Sequence, residues 1–384
     1  MKRTSQQRAR GAWRARLACC AAAPGDEPPR PAQSQGQHEP ATPRVECDDL
    51  YSDISSGDLE ASDSEAAESA SDSDAESASG LSRAEAAHAA RALQFQIVET
   101  LTPGSEGRVF VATSPARGDE HVVLKIGATA STLAEAMLLR TMDHANVLRL
   151  KAVLFYEELV CMVLPRYRHD LYTYLSATDR AMDPAAALAV VRRVLRGLEY
   201  LHSRKIAHRD VKTENIFINS VDDVCLGDLG AARGPITEPR YYGSAGTLET
   251  NSPELLARAQ YDCRTDVWSV GVVMYELVAY PRALFNAPEG GRECQTYTRQ
   301  LIRVIRRLGV HAAEFPPGPD SRLSRNFRQY ASSRRPPHSQ YRCLQALRLP
   351  ADSAHLLHKM LTFDFRRRPT AAELLGSPVF AHAL

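Results

Sequence analysis

Long apolar runs, paired cysteines and net charge are what this chain of 384 residues has least of. No apolar stretch approaches the roughly 18 residues that a membrane-spanning helix needs, so no membrane span is expected. The eight cysteines are scattered, with no Cys-x-x-Cys pair and no Cys/His set at zinc spacing. A reducing, intracellular compartment is the simplest setting for such thiols. The formal charge is only +1, which supplies no general attraction to nucleic acid, and no nucleic-acid partner is expected. The N-terminus lacks the apolar core of a secretory signal. No internal repeat is visible.

Charge of one sign is also missing locally. Residues 1–45 are Arg-rich with Pro and Gln clusters, and Met1 to Leu17 contains no acid. Residues 46–79 carry many Asp, Glu and Ser and neither Lys nor Arg. Such stretches cannot bury enough apolar area to offset the entropy of ordering. Residues 1–45 therefore read as a basic disordered tail and 46–80 as an acidic, Ser-rich disordered segment. The basic tail is read as a nuclear-import or plain basic stretch, with a mitochondrial transit peptide as the alternative. The acidic segment is open to several readings: a regulatory tail, a docking segment for binding partners, a substrate for acidophilic kinases, or a solvated tether.

What is there is concentrated between about Phe95 and Phe380, after a short capped helix expected from Ser82 to Leu93. His208-Arg209-Asp210-Val211-Lys212-Thr213-Glu214-Asn215 is followed thirteen residues later by Asp228-Leu229-Gly230. That spacing matches a protein kinase active site. Phosphoryl transfer needs positioning, charge neutralisation and an oriented nucleophile. Asp210 is the residue to orient or accept the substrate hydroxyl proton, and Lys212 is placed to reach the γ-phosphate. Asn215 and Asp228 offer oxygen donors to Mg²⁺, a hard cation. The apolar triplets Ile216–Ile218 and Val224–Leu226, around a polar turn, predict a hairpin holding Asn215 and Asp228 at its open end.

The nucleotide side precedes this. Thr102-Pro103-Gly104-Ser105-Glu106-Gly107-Arg108-Val109 resembles a Gly-rich loop, with Thr102 in place of the usual first glycine. Glycines let backbone amides approach phosphate. Val122-Val123-Leu124-Lys125 resembles the third-strand lysine motif, and the helical spacing of Thr132 to Arg140 places Glu135 to pair with Lys125. By resemblance Leu164 is the gatekeeper, and Pro165 to Tyr167 form the hinge that binds adenine through the backbone. Asp170 either reaches a ribose or a substrate arginine, or caps the next helix.

Later phrases resemble a kinase activation segment: Gly246-Thr247-Leu248-Glu249, with Thr247 expected to contact Asp210, and Ser252-Pro253-Glu254, with Glu254 expected to pair with Arg368. Asp266 is expected to brace the backbone of the catalytic loop. Arg209 beside Asp210 suggests control by a phosphate on Ser244, Thr237, Tyr241 or Tyr242; the alternative is a segment that folds without one. The Arg-, Ser- and Pro-rich stretch 315–345 reads as an irregular insert.

The whole, over about 95–380, resembles a eukaryotic-type serine/threonine protein kinase. The fold class implied is α+β and two-lobed, with a β-rich N-lobe at 95–164 and a helical C-lobe at 165–380. Leu101 to Gly107, Asp170-Leu171-Tyr172-Thr173-Tyr174-Leu175, Lys212 to Asn219 and Leu226-Gly227-Asp228 resemble the alphaherpesvirus kinase of the unique short region. That resemblance implies ATP and Mg²⁺ as cofactors and viral and host proteins as substrates, in host cytoplasm and nucleus. It also implies roles in capsid nuclear egress, in blocking apoptosis and in cytoskeletal rearrangement, with a preference for Ser/Thr preceded by arginines. Glu214, with Asp170 nearby, would read those arginines by carboxylate–guanidinium pairing. The rival readings are a pseudokinase scaffold and a protein that acts mainly through its acidic tail.

Overall fold

The structure is a computed structural model that describes residues 81–101, 107–114, 120–128, 130–240, 242–285, 297–310 and 341–381. The two tails expected at 1–80, Thr102, Gly104 and Ser105 of the Gly-rich loop, Tyr241 and most of the stretch 315–345 lie outside the described residues.

The first helix, α1 (Arg83–Ala92), starts where its sequence says it should. The Ser82 hydroxyl accepts from the Glu85 amide at 3.2 Å, and the Glu85 carboxylate accepts from the Ser82 amide at 2.9 Å. This reciprocal cap satisfies two donors that the first turn leaves unpaired. The helix buries a face of small residues, Ala86, Ala89 and Ala90.

Five antiparallel strands follow: β1 (Gln96–Thr100), β2 (Arg108–Thr113), β3 (Val122–Gly127), then after helix α2 (Ala130–Arg140) β4 (Ala152–Tyr156) and β5 (Leu159–Pro165). Their spatial order is β1-β2-β3-β5-β4. Alternation along each strand separates two faces. Phe110, Leu124, Ile126, Cys161 and Val163 pack with Ala86 and Ala90 of α1. Met162 and Leu164 pack with Ala136 and Leu139 of α2 on the other face, where Lys125 also lies.

The second lobe is mostly helical. It comprises β6 (His169–Asp170), α3 (Leu171–Thr178), α4 (Pro184–Ser203), the hairpin β7 (Ile216–Ser220) and β8 (Asp223–Leu226), α5 (Pro253–Leu256), α6 (Arg264–Ala279), α7 (Tyr297–Leu308), α8 (Arg342–Gln345), α9 (Ala351–Met360) and α10 (Ala371–Leu375). Asp183 caps α4 and Pro184 occupies its first turn, where a missing amide costs nothing. Leu188, Val191, Leu195, Leu198 and Leu201 are all buried, as their helical spacing predicts. Helix α6 is buried on nearly every side.

Besides the chain crossing after β5, the segment around Asn146 and Leu148 ties the lobes together. The Leu148 amide donates to the Leu226 carbonyl at 2.8 Å and the Leu226 amide to the Asn146 carbonyl at 3.0 Å. Asn146 Nδ2 donates to the Val224 carbonyl at 2.8 Å. Gly197 of α4 lies against the Asn146 carbonyl so closely that a Cβ would overlap it. The α+β, two-lobed arrangement expected from the sequence is the one observed.

Candidate active site

The site is built from two clusters of charged and polar side chains. In the first, Lys125 of β3 donates from Nζ to Glu135 Oε2 of α2 at 2.7 Å and to Asp228 Oδ1 at 2.9 Å. The Lys125 and Glu135 side chains are 11% and 2% exposed, whereas that of Asp228 is 42% exposed. Burial pulls the Lys125 ammonium down, but the Asp228 and Glu135 carboxylates outweigh it and hold it above the ordinary lysine range. Burial likewise favours protonated Asp228; Lys125 overcomes this and, with His208 and Lys212, holds the carboxyl below its ordinary range. Asp228 adopts a left-handed backbone, φ 59°, which turns the chain sharply out of β8.

The second cluster surrounds Asp210. Its Oδ1 accepts from Thr247 Oγ1 at 2.7 Å, and its Oδ2 accepts from Asn215 Nδ2 at 3.0 Å and from Lys212 Nζ at 3.0 Å. Lys212 Nζ also reaches Thr247 Oγ1 at 2.9 Å. The Asn215 amide nitrogen additionally donates to the Asp210 carbonyl at 2.8 Å, which leaves the amide oxygen as the atom with which Asn215 can hold a cation. The Gly227 amide donates to the Asn215 carbonyl at 2.9 Å, and Ile216 pairs with Leu226, so the hairpin brings Asn215 beside Asp228. Two hard oxygen donors on a rigid hairpin, one of them open to the cleft, suit Mg²⁺, which keeps waters and phosphate oxygens as its other ligands.

The loop carrying Asp210 is held from beneath. Asp266, fully buried in the first turn of α6, accepts from the His208 amide at 2.8 Å and the Arg209 amide at 2.7 Å. His202 Nε2 lies 2.9 Å from the same carboxylate. Burial opposes the ionised form of Asp266, yet His202, His208 and the Arg209 amide together hold it below the ordinary carboxylate range. His208 Nε2 bridges to the Gly227 carbonyl at 2.9 Å, linking this loop to the turn that presents Asp228.

The remaining sequence-derived positions fall as follows. Gly107, just before β2, lies against β3, where a Cβ would sit 2.5 Å from the Ile126 carbonyl, so packing by itself already requires the missing side chain. Val109 pairs with Lys125. Leu164 is buried at the end of β5, and Pro165 closes that strand opposite Val122. The Tyr167 ring packs on Phe217, 6.0 Å between centroids, with the Cys225 thiol close to its hydroxyl. Burial pushes that thiol up to about 12, so it stays protonated. Asp170 caps α3, accepting from the Thr173 amide at 2.7 Å. Burial pushes its carboxyl up to about 6, although Thr173 draws it down and Glu214 adds to the rise. Glu214 is exposed, and its charge is near enough to raise the Asp170 carboxyl; its own Oε2 accepts from Thr213 Oγ1 at 3.1 Å.

Known proteins resemble this chain throughout the region. The family described as "Protein kinase domain" matches residues 95–380. A serine/threonine-protein kinase US3 homolog of Bovine herpesvirus 1.2 (strain ST) is 67% identical over 318 residues, covering 79% of this chain and 68% of that protein. The US3 homolog of Equine herpesvirus 1 (strain Ab4p) is 46% identical over 336 residues, 87% of each chain. The chain belongs to the protein kinase family, among the alphaherpesvirus serine/threonine kinases. The solved yeast RNA Pol II CTD kinase CTDK-1 complex contains a chain of the same fold, with TM-score 0.63, 22% identity and coverage of 75% of this chain and 93% of that one.

The activation segment of this kinase is anchored at both ends. Gly246, at φ 77°, runs so close to the Arg209 carbonyl that a Cβ would overlap it. The Arg209 guanidinium donates to neutral oxygens: the Ala231 carbonyl at 2.8 Å, the Tyr261 hydroxyl at 3.1 Å and the Tyr242 carbonyl at 3.3 Å. At the far end Glu254 and Arg368 form a two-pronged pair at 2.7 and 3.1 Å, with side chains 2% and 0% exposed. Sequence reasoning missed His202, Tyr261, Asn146 and the nearness of Tyr167 to Cys225. Nothing in the local pattern around these residues signals their distant partners.

Proposed function

We propose that the kinase transfers the γ-phosphate of ATP to serine and threonine hydroxyls with Asp210 as the residue that orients or accepts the hydroxyl proton. The observation that carries this is the hold on Asp210: both carboxylate oxygens are fixed by Asn215, Lys212 and Thr247. A carboxylate so held needs no reorganisation when a hydroxyl arrives, which is how positioned groups lower such barriers. Lys125, kept in place by Glu135, takes the α- and β-phosphates. Asn215 and Asp228 would hold Mg²⁺, whose charge would offset that of the phosphates. Lys212 supplies positive charge to the γ-phosphate, and Thr247 ties the peptide-docking segment to Asp210. Val109, Leu164 and the backbone of Pro165 to Tyr167 accommodate the base, with Thr102, Gly104, Ser105 and Gly107 over the phosphates.

Specificity for Ser/Thr preceded by arginines is part of this proposal. The support is that Glu214 is exposed and acidic while Asp170 lies within its field. Viral and host protein substrates, action in host cytoplasm and nucleus, and roles in capsid egress, apoptosis and the cytoskeleton are proposed from likeness to the alphaherpesvirus relatives. The test is phosphorylation of an Arg-rich serine peptide by the wild type and by Asp210→Ala. Loss of about a hundredfold or more in kcat is expected from removing a positioned base. Equal rates on peptides with and without upstream arginines would overturn the specificity.

A further inference from the structure

Helix α1 is tied to the two strand ends that flank the nucleotide loop. Arg83, its first residue, donates to Thr100 Oγ1 at 3.0 Å, and Thr100 is the last residue of β1. Arg108, the first residue of β2, donates through Nε to the Leu81 carbonyl at 3.0 Å, one residue before the cap of α1. Further along the helix, His88 Nε2 lies 3.1 Å from the Tyr156 hydroxyl at the end of β4, with the rings edge-on at 5.7 Å. Since β1 and β4 are opposite edges of the sheet, α1 spans it. Between these ties Leu81, Ala86 and Ala90 are buried with Phe95, Phe110 and Leu124. The match to the general kinase domain begins only at residue 95, so this brace lies outside the shared catalytic unit.

We infer that α1 positions the roof of the nucleotide site, with Arg83 and Arg108 as positioning residues for ATP binding. The path is short. Arg108 lies between Gly107, wedged against the Ile126 carbonyl, and Val109, which pairs with Lys125 on the face that looks into the cleft. The Leu101 amide closes the strand pair by donating to the Val109 carbonyl at 2.9 Å. Displacing Arg108 therefore displaces the neighbours of the phosphate-binding lysine. Freeing Thr100 loosens the other strand of the same pair. The groups around Asp210 belong to the other lobe, and none of the ties of α1 described above reaches them. Loosening α1 acts on nucleotide affinity and leaves the transfer step alone.

The experiment uses the full chain with Arg83→Ala and Arg108→Ala combined, and separately Arg83→Lys with Arg108→Lys, which keep a donor at each position. Affinity is read by titrating a fluorescent ATP analogue, and kcat and KM by peptide phosphorylation. The alanine pair is expected to weaken nucleotide binding and raise KM for ATP by about threefold to tenfold, the loss expected for one or two part-exposed hydrogen bonds. Its kcat should stay within about twofold, and the lysine pair should recover most of the affinity. A lower melting midpoint with nucleotide affinity unchanged would make α1 a purely structural cover and overturn the inference, as would a fall in kcat alone. The inference rests on the kinase reading, but the binding titration does not need turnover. Inactive wild type that still binds nucleotide would count against the proposed mechanism while the comparison of variants still decides the role of α1.

Discussion

Two of the charge clusters among the described residues pair a basic side chain with buried carboxylate and differ in what they leave over. Glu254–Arg368 is closed: two parallel bonds join the pair, and Arg368 spends its other donors on the carbonyls of Thr362, Arg264 and Phe363. Its guanidinium also lies 5.2 Å over the Trp268 ring. Charge and hydrogen bonds both balance, so nothing is left to bind. The cluster of Lys125, Glu135 and Asp228 has one cation and two carboxylates, and the surplus carboxylate is the partly open one. A surplus negative charge facing a cleft asks for a cation from outside. Balance marks structure here, and imbalance marks function.

The comparison breaks most visibly at the closed pair. Arg368→Ala leaves the Glu254 carboxylate buried and unpaired, and a loss of about 3–5 kcal/mol in stability is expected by denaturant titration. Asp228→Asn is the counterpart at the open cluster. It keeps Lys125–Glu135 intact, so stability should change by less than about 1 kcal/mol. Phosphorylation should nonetheless fall about a hundredfold to a thousandfold, the cost of losing a group aimed at charge in the transition state. Equal stability losses in the two variants would remove the distinction.

Asp170 sharpens it in another way, as a half-buried carboxyl that serves as a helix cap. Its folded value is raised to about 6 from the ordinary 3.8. The folded protein therefore binds this proton more tightly than the unfolded chain does. The resulting stabilisation is fully present below 3.8 and is lost as pH rises through about 6. Asp170→Asn, which preserves the cap, should flatten that part of the stability–pH curve. The smallest expected effect belongs to Ser82→Ala, about 1 kcal/mol from the lost cap of α1, measured by thermal melting.

Much of the site was legible because chemistry forces residue types into short contiguous phrases. Asp210, Lys212 and Asn215 lie within six positions, and the apolar triplets around Val221 could only hold them as a hairpin. Helix α4 was legible from its leucine and valine spacing. The docking of α1 was not, since a face of alanines carries little periodic signal even when it is fully buried. His202 against Asp266, and Tyr261 against Arg209, depend on contacts 64 and 52 residues apart. Single polar residues show no period, so only the assembled fold reveals which distant group each one serves. Asp170 illustrates the opposite case: both of its readings were visible, and the structure shows the cap.

The hydrogen bonds of Asn146 and Leu148 to the β8 strand, with Gly197 beneath, give the molecule a fulcrum. The chain crosses between the lobes after Pro165, where β5 ends, and this anchor is a second tie between them. An opening of the cleft must turn about the line between the two. A helix of 11 residues is about 16 Å long, and its Arg140 end is the one nearer in chain to the anchor at Asn146. Glu135 lies midway, where a small rotation is enough to change its distance to Lys125.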